Sequence, residues 1–236
     1  MTSNTDWING SSETSVLFGP FRLLPRQRLL MKGDKPVPLG GRAFDVLIAA
    51  TLLVVTSPLL LAAVIAIRLE SAGSPIYRQR RVGKDGRPFE LLKLRTMVTG
   101  AEFTGAGLAI QESDDRITRV GRFLRRYSLD ELPNLLNVLR GEMSIVGPRP
   151  TLLHQVEQYS DRQRGRLEVK PGLTGWAQIH GRASLPWSER IELDLWYVEH
   201  RSLALDLRII GRTIGMVLSG QGLYKGENGG WQPPTA

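Results

Sequence analysis

The sequence predicts an α+β fold, in which a mostly helical domain carries a small β-hairpin and is anchored to a membrane by a kinked, re-entrant helix. Three observations support this prediction. Residues 46–67 form an apolar run without a charged side chain, and residues 74–94 place a Lys-Asp-Gly turn between two apolar runs. Beyond residue 115, apolar residues recur at helical spacing. An apolar content of 42% supplies enough side chains for a packed core.

The apolar run is long enough to cross a bilayer. A buried core helix is the alternative, but such helices usually carry a polar stripe. Ser57-Pro58 lies in the middle of the run, where proline removes a backbone donor and bends a helix. The Ser57 hydroxyl is able to bind a carbonyl that Pro58 leaves free. The sequence therefore predicts a kinked membrane helix.

Basic residues flank this run on both sides. Lys32, Lys35 and Arg42 precede it, and Arg68, Arg78, Arg80 and Arg81 follow it. Under the positive-inside rule, each flank favours the cytoplasmic side. A re-entrant helix that enters and leaves on one face satisfies both flanks, whereas a straight span satisfies only one. We therefore expect a re-entrant helix, with a kinked spanning helix as the open alternative.

The chain is expected to divide into four parts. Residues 1–41 form a partly disordered N-terminal appendage, in which residues 16–39 predict two or three short strands. Residues 42–72 form the membrane helix, residues 73–224 the main domain, and residues 225–236 a flexible tail.

Within the main domain, local signals set the order of the elements. The expected elements begin with a hairpin around Lys84-Asp85-Gly86 and a basic helix at 117–127. An amphipathic helix follows, which carries Leu132, Leu135, Leu136 and Leu139 and ends at Gly141. The last elements are a buried run that ends in a rigid turn at 147–150, a loop at 170–182, and one or two amphipathic helices at 189–218.

Charge and composition narrow the chemistry. The net charge of +8 predicts a polyanionic partner, which is a nucleic acid, an anionic membrane surface or a phosphorylated substrate. The chain has no cysteine, so disulfides, thiolate nucleophiles and thiolate zinc sites are excluded. Its three histidines, His154, His180 and His200, are too far apart in the sequence for a local metal-binding motif.

Two adjacent acids, Asp130 and Glu131, stand where a helix is expected to begin. Ser128 followed by Glu131 fits a capping box, and acids in a first turn complement the helix dipole. Pro133 conflicts with a cap at Ser128, whereas a helix that starts near Asp130 puts Pro133 within its first turn. These signals explain one acid better than they explain both.

A chemical role is the alternative for the acid pair. Lys93, Arg125 and Arg149 are cations of the kind that bind phosphate. A carboxylate among such groups is able to attack phosphorus and form an acyl phosphate, while its neighbour helps to hold Mg²⁺ beside a diphosphate. Adjacent helical residues project about 100° apart, so the two acids are expected to have different roles.

Residues 42–213 resemble the bacterial sugar transferases, the monotopic polyprenyl-phosphate phosphoglycosyl transferases. The similarity is carried, in the family's order, by RAFDVLIA, TSPLLL, SPIYRQRRVGKDGRPFELLKLRTM, RRYSLDELPNLLNVLRGEMSIVGPRP, KPGLTGWAQIHGR and ELDLWYVEHRSLALDLRII. So many strings in one order make the match specific.

The resemblance implies a reaction and a location. Members of the family transfer a phosphosugar from a UDP-sugar to a polyprenyl (undecaprenyl) phosphate and release UMP, which starts the synthesis of exopolysaccharide, capsule or another glycoconjugate. The implied location is the inner, cytoplasmic membrane of a bacterium, with residues 73–224 as the catalytic domain on the cytoplasmic face. Membrane lipids are further expected partners, no nucleic acid is expected, a homo-oligomer stays open, and Mg²⁺ is the expected cofactor.

The resemblance also assigns roles to single residues. Asp130 corresponds to the nucleophile that forms a covalent aspartyl-phosphosugar intermediate, and it is the expected metal ligand. Glu131 corresponds to its catalytic partner, while Leu94 stands where the family carries an aromatic residue. The remaining expected site residues are Lys93, Arg125 and Arg149 for phosphate binding and Ser57 and Pro58 for the kink of the re-entrant helix.

Residues 14–49 resemble, in addition, the opening strands and first helix of an OmpR-type winged-helix domain. Nothing after Ala50 supplies a recognition helix and wing, so we expect an appendage without DNA-binding ability. Two other functions stay open. A non-catalytic scaffold of polysaccharide assembly has no need of both acids, and a membrane-tethered DNA-binding regulator requires specific, salt-sensitive duplex binding by the N-terminal residues.

Overall fold

The computed structural model describes residues 16–18, 21–24, 29–32, 35–37, 39–103, 114–181 and 185–219. Residues 1–15 of the appendage that is predicted to be partly disordered, and the predicted flexible tail at 225–236, lie outside these residues. The chain divides into two compact units, Met1–Ala43 and Phe44–Ala236.

The first unit contains a four-stranded antiparallel sheet. Its strands, in spatial as well as chain order, are β1 (Val16–Phe18), β2 (Phe21–Leu24), β3 (Leu29–Lys32) and β4 (Lys35–Val37). The prediction of two or three strands was therefore too low. The additional strand β4 contains Pro36, which lacks an amide donor, and it lies at the edge of the sheet, where proline is tolerated.

One long helix, α1 (Leu39–Glu70), contains the apolar run, with Pro58 inside it. Proline at this position leaves the carbonyl of Val54 without its usual helical partner. The Ser57 hydroxyl donates a hydrogen bond to that carbonyl at 2.8 Å, as expected from the sequence. Among the described residues, only the segment Arg42–Glu70 is long and apolar enough to cross a membrane, and 11% of its most apolar window is buried.

The predicted hairpin is confirmed. Strands β5 (Ile76–Val82) and β6 (Pro88–Leu94) pair antiparallel, with Val82 opposite Pro88 and Ile76 opposite Leu94. Asp85 and Gly86 in the connecting turn have φ values of 57° and 76°. Asp-Gly is a favoured sequence where two successive turn residues need positive φ.

Seven α-helices and two short strands that pair with each other follow the hairpin among the described residues. They are α2 (Arg119–Arg126), α3 (Asn134–Arg140), β7 (Ser144–Val146), α4 (Leu153–Val156), α5 (Asp161–Arg164), β8 (Gly172–Thr174), α6 (Trp176–Ile179), α7 (Trp187–His200) and α8 (Leu203–Ser219). The second unit is thus mostly helical, as predicted. The predicted basic helix is α2, and the last predicted helical region consists of the two helices α7 and α8.

The prediction of a loop at 170–182 was wrong, because β8 and α6 lie within it. Strand β8 pairs parallel to β7, with Ser144 opposite Gly172. A side chain at Gly172 would clash with the backbone of Gly147. Glycine here permits close backbone approach, but in a sequence it looks like a loop signal.

Both ends of the apolar part of α1, which belongs to the second unit, are hydrogen-bonded to other elements of that unit. At the N-terminal end, the buried carboxylate of Asp45 accepts hydrogen bonds from the Ser144 hydroxyl at 2.8 Å and from the Ile145 amide at 2.9 Å. At the C-terminal end, Glu70 accepts the amide of Arg119 at 2.7 Å, and Arg95 donates to the carbonyl of Ser71 at 2.7 Å. The apolar part of the helix is therefore fixed at both ends within one unit.

Helix α3 is joined to the outer edge of the hairpin by a fully buried amide, Asn137. Its oxygen accepts the Leu92 amide at 3.2 Å, and its nitrogen donates to the Glu90 carbonyl at 2.6 Å. The same nitrogen donates to the Glu142 carboxylate at 2.7 Å. Asn137 thus satisfies backbone groups of β6 as an additional strand would.

Substituting this amide tests its importance. We expect Asn137→Leu to lower the free energy of unfolding by about 2–3 kcal/mol, because the buried amide of Leu92 and the carbonyl of Glu90 lose their partner. Thermal unfolding of the detergent-solubilised protein measures the change. Leu136→Ala, at an exposed position of the same helix, is the control and should cost less. Equal losses in the two variants would contradict the role of the amide.

Candidate active site

The predicted acids and cations come from distant parts of the chain and line one cavity of about 1500 Å³. Lys93 lies at the end of β6, and Arg125 in the last turn of α2. Asp130 and Glu131 lie in the 3₁₀ turn Leu129–Glu131 between α2 and α3. Arg149 follows β7. The structure thus brings all five residues together, whereas Ser57 and Pro58 lie elsewhere, inside α1.

The capping box that the sequence of Ser128 and Glu131 fits does not form. Ser128 adopts a left-handed conformation with φ of 53°, and its side chain makes no capping hydrogen bond. Helix α3 starts at Asn134, after Pro133, so the acids precede this helix rather than occupying its first turn. The left-handed residue turns the chain between α2 and the acids.

Glu131 is held by two cations. Its Oε1 accepts hydrogen bonds from Lys93 Nζ at 2.7 Å and from Arg149 Nη2 at 2.8 Å. Burial by itself would raise the pKa of Glu131, but the charges and hydrogen bonds of Arg149 and Lys93 outweigh it and hold the pKa well below its usual range. Glu131 is therefore an anion that orients both cations.

Asp130 has a different environment. Its side chain is half-buried, and none of the described residues donates a hydrogen bond to its carboxylate. Burial raises the pKa of Asp130, which the charge of Lys93 opposes and the charge of Glu131 reinforces. The carboxylate oxygens of Asp130 are therefore available to a ligand in the cavity.

Arg125 is fixed by its contact with the segment that directly follows β6, the strand that carries Lys93. Its Nε donates to the Thr96 hydroxyl at 2.7 Å. Helix α2 is capped by Thr118, whose hydroxyl accepts the Gly121 amide at 2.9 Å. A side chain at Gly121 would clash with the Thr96 backbone, so glycine allows α2 to pack closely enough for the Arg125 contact.

The turn that carries Arg149, residues 147–150, is held by hydrogen bonds along its length. The Gly147 amide donates to Thr174 O at 2.9 Å, the Gly172 amide to Pro148 O at 2.9 Å, Arg166 Nη2 to Arg149 O at 3.1 Å, and Arg81 Nη1 to Pro150 O at 3.2 Å. Backbone fixed in this way positions the Arg149 guanidinium toward Glu131. The rigid turn predicted from the sequence is confirmed.

Sequence reasoning missed the buried ion pair between Arg166 and Asp194, which is 4% and 2% exposed. Arg166 also donates to the Tyr159 hydroxyl. A signal for this pair exists in helix α7, where Asp194 shares one face with the buried residues Ile191 and Val198. A carboxylate on an apolar face requires a buried cation.

The cavity is lined by side chains of two kinds. Besides the acids and cations named above, apolar side chains of α1 and α8 line it, among them Ile48, Leu52, Ile214, Val217 and Leu218. One space is therefore bordered by both charged and apolar side chains, which is the composition that an amphiphilic ligand requires.

The side chains that are able to bind a metal ion show how the expected Mg²⁺ would be held. Among the described residues, no group of three or more His, Asp or Glu side chains converges on one point. Mg²⁺ is commonly held by one or two carboxylates together with substrate phosphates and water. Asp130, with oxygens not bonded to any described residue, fits that mode of binding.

A carboxylate beside fixed cations is suited to chemistry on phosphate-bearing substrates. Comparison with known proteins agrees with this chemistry. The sequence profile described as "Bacterial sugar transferase" matches residues 38–220. The chain therefore belongs to the bacterial sugar transferase family, and it is a phosphoglycosyl transferase.

Individual relatives cover most of the chain. The uncharacterized sugar transferase EpsL of Bacillus subtilis (strain 168) is 45% identical over 78% of this chain and 90% of its own length. The UDP-glucose:undecaprenyl-phosphate glucose-1-phosphate transferase of Caulobacter vibrioides is 44% identical over 87% of this chain and 82% of its own. The exopolysaccharide production protein ExoY of Sinorhizobium fredii is 42% identical over 79% and 90%.

Proposed function

We propose that this protein transfers a phosphosugar from a UDP-sugar to undecaprenyl phosphate, releases UMP, and forms a covalent aspartyl-phosphosugar intermediate on the way. The reaction starts the synthesis of exopolysaccharide, capsule or another glycoconjugate. The observation that carries the proposal is the Asp130 carboxylate, half-buried and not hydrogen-bonded to any described residue, beside Lys93, Arg125 and Arg149. The name of the Caulobacter vibrioides relative, a UDP-glucose:undecaprenyl-phosphate glucose-1-phosphate transferase, supports it.

The first step is an attack by an Asp130 carboxylate oxygen on the β-phosphorus of the UDP-sugar. The bond from that phosphorus to the oxygen bridging the two phosphates breaks, and its electron pair leaves with UMP. Lys93 and Arg149 are already oriented by Glu131, so their charges stabilise the phosphate oxygens without further rearrangement. Arg125, held at Thr96, supplies a third cation.

In the second step, a phosphate oxygen of undecaprenyl phosphate attacks the phosphorus of the aspartyl-phosphosugar. The bond between phosphorus and the Asp130 oxygen breaks, and the carboxylate is restored. Apolar residues of α1 and α8 in the cavity wall are suited to the lipid chain. When bound at Asp130, Mg²⁺ supplies positive charge to the diphosphate.

We further propose that α1 enters and leaves the inner membrane on the cytoplasmic face, where UDP-sugars are available. Two contacts within the second unit support this proposal, because Asp45 near one end of the apolar run bonds to Ile145 and Glu70 at the other end bonds to Arg119. A helix that crosses a bilayer has its ends on opposite sides, so one domain on one side does not reach both. Basic residues on both flanks agree with this orientation.

Labelling of single cysteines tests the orientation, since the chain has none of its own. We expect Arg42→Cys and Ala72→Cys, at exposed positions on either side of the apolar run, to react with a membrane-impermeant maleimide in inverted vesicles but not in intact spheroplasts. Ala63→Cys, at a buried position, should react only after denaturation. Labelling of one flank from outside and the other from inside would indicate a spanning helix.

Release of UMP tests the reaction. The purified protein in nanodiscs is mixed with Mg²⁺, undecaprenyl phosphate and, separately, UDP-glucose, UDP-galactose and UDP-N-acetylgalactosamine, which correspond to sugars in the names of similar transferases. We expect sustained release with one or two donors, dependent on the lipid phosphate. No release with any donor, from folded protein, would instead favour a different nucleotide donor or a scaffold.

A further inference from the structure

Gln178 in α6 is a buried amide in the wall of the cavity, 9% exposed. Neither its Oε1 nor its Nε2 has a hydrogen-bond partner among the described residues. Burying an amide without partners costs on the order of 1–3 kcal/mol. Because Gln178 is among the residues that line the cavity containing Asp130, a ligand bound there is the candidate for both missing partners.

The position of this amide relates it to the phosphate-binding groups. A side chain added at Gly175 would lie 2.6 Å from Gln178 Oε1 and would also clash with the Gly147 carbonyl. Gln178 Oε1 and Gly147 therefore lie against the same glycine. Gly147 begins the rigid turn that carries Arg149, so the Gln178 amide is beside that turn.

A second unpartnered atom adjoins the same turn. Oδ1 of Asp194 is buried, and no described residue bonds to it, while Oδ2 pairs with Arg166. Arg166 donates through the same nitrogen to the Arg149 carbonyl, which brings Asp194 close to the turn. The charge of Glu131 raises the pKa of Arg149 most, and those of Asp130 and Asp194 contribute as well, so Arg149 is within electrostatic reach of both aspartates.

These atoms define the chemistry of the missing partner. Gln178 offers one acceptor and one donor group, and Asp194 Oδ1 offers an acceptor. A group with several hydroxyls both donates and accepts hydrogen bonds, and thus satisfies all three. If Asp130 attacks the β-phosphorus, the sugar is the part of the substrate attached directly to the reacting atom, whereas the uracil is separated from it by a further phosphate and a ribose.

We propose that Gln178 and Asp194 bind hydroxyl groups of the transferred sugar beside Arg149, and that Gln178 is a specificity-determining residue. This inference rests on the proposed function. Sites that hydrogen-bond a substrate hydroxyl discriminate strongly, because the wrong substrate leaves their buried polar groups unpaired. Discrimination between sugars that differ at one hydroxyl therefore depends on the Gln178 amide.

The test compares wild-type protein with Gln178→Met, which keeps the length of the side chain and removes the amide. We expect the ratio of kcat/KM for UDP-glucose to that for UDP-galactose to move at least about tenfold toward one. Inhibition by UMP, which lacks the sugar, should stay within about twofold. The thermal unfolding midpoint should stay equal or rise, because two unpaired buried atoms are removed.

Two further variants make the result specific. Gln158→Met, the same change at an exposed glutamine, should leave the donor ratio unchanged. Gln178→Asn keeps an amide but withdraws it by one carbon, and it should also shift the ratio, so the test does not depend on the folding of a single variant.

Each contrary outcome has a separate meaning. An unchanged donor ratio in both Gln178 variants, with wild-type protein active, would overturn the sugar assignment alone. If the Gln178 variants lost UMP inhibition and the use of UDP-sugars to the same extent, the sugar assignment would be overturned, and Gln178 would instead contact the nucleotide. Failure of the wild-type protein to use any UDP-sugar would overturn the proposed function, and the sugar assignment with it.

Discussion

Replacing Asp130 with asparagine is expected to lower turnover by at least about 10⁴-fold while the protein stays folded and membrane-bound. An amide is a poor nucleophile, so the acyl-phosphate bond does not form. Glu131 is not expected to take over, because its Oε1 is bound to Lys93 and Arg149. UMP release, measured with the preferred UDP-sugar and undecaprenyl phosphate, gives the magnitude.

Trapping the intermediate makes this prediction specific to the nucleophile. Wild-type protein given a UDP-sugar with a labelled sugar, without the lipid acceptor, should retain label after denaturation, whereas Asp130→Asn should not. Asp115→Asn, at an exposed position, is the matched control and should behave as wild type. Substantial turnover, or retained label, in the Asp130 variant would contradict the assignment of the nucleophile.

The division of roles between the two acids shows what adjacency in a sequence does not reveal. The sequence showed that two acids lie near the start of a helix, and it predicted that the two have different roles. Which acid binds the cations depends on Lys93, 38 residues away, and on Arg149, 18 residues away. At Ser128, where the sequence offered a capping box with which Pro133 conflicted, the chain has a left-handed conformation.

Local sequence patterns gave correct predictions where single residues determine the backbone conformation directly. Asp85-Gly86 predicted the hairpin turn, and Gly141, with φ of 81°, predicted the end of α3. They failed at residues 170–182, where glycines permit close packing that only the tertiary structure reveals. Gln178 lies in this misread segment, which is why its buried amide was not a candidate.

Breaking the buried pair of Arg166 and Asp194 is expected to cause the largest loss of stability. We expect Arg166→Met to lower the free energy of unfolding by about 3–5 kcal/mol, because the Asp194 charge is left without its buried partner. Arg166 also packs its guanidinium 5.6 Å from the centre of the Trp187 ring. Thermal unfolding of Arg166→Met against wild type measures the loss.

The dependence of this loss on pH identifies its cause. Burial raises the pKa of Asp194, and Arg166 is the main group that opposes the rise. Without Arg166 the folded-state pKa rises further above its unfolded value, so protonation favours the folded variant. The stability deficit is then fully present above that raised pKa and shrinks as the pH falls through it. A deficit that is equal at pH 5 and pH 8 would contradict this explanation.

A double variant separates stability from catalysis. In Arg166→Met/Asp194→Leu no charge is left unpaired, and replacing a buried ion pair by apolar side chains is often neutral or stabilising. We therefore expect most of the stability to return. Turnover should remain low, because the Arg149 carbonyl still lacks the donor that Arg166 provides, and the acceptor of Asp194 is also gone. Recovery of full activity together with stability would mean that the pair serves the fold alone.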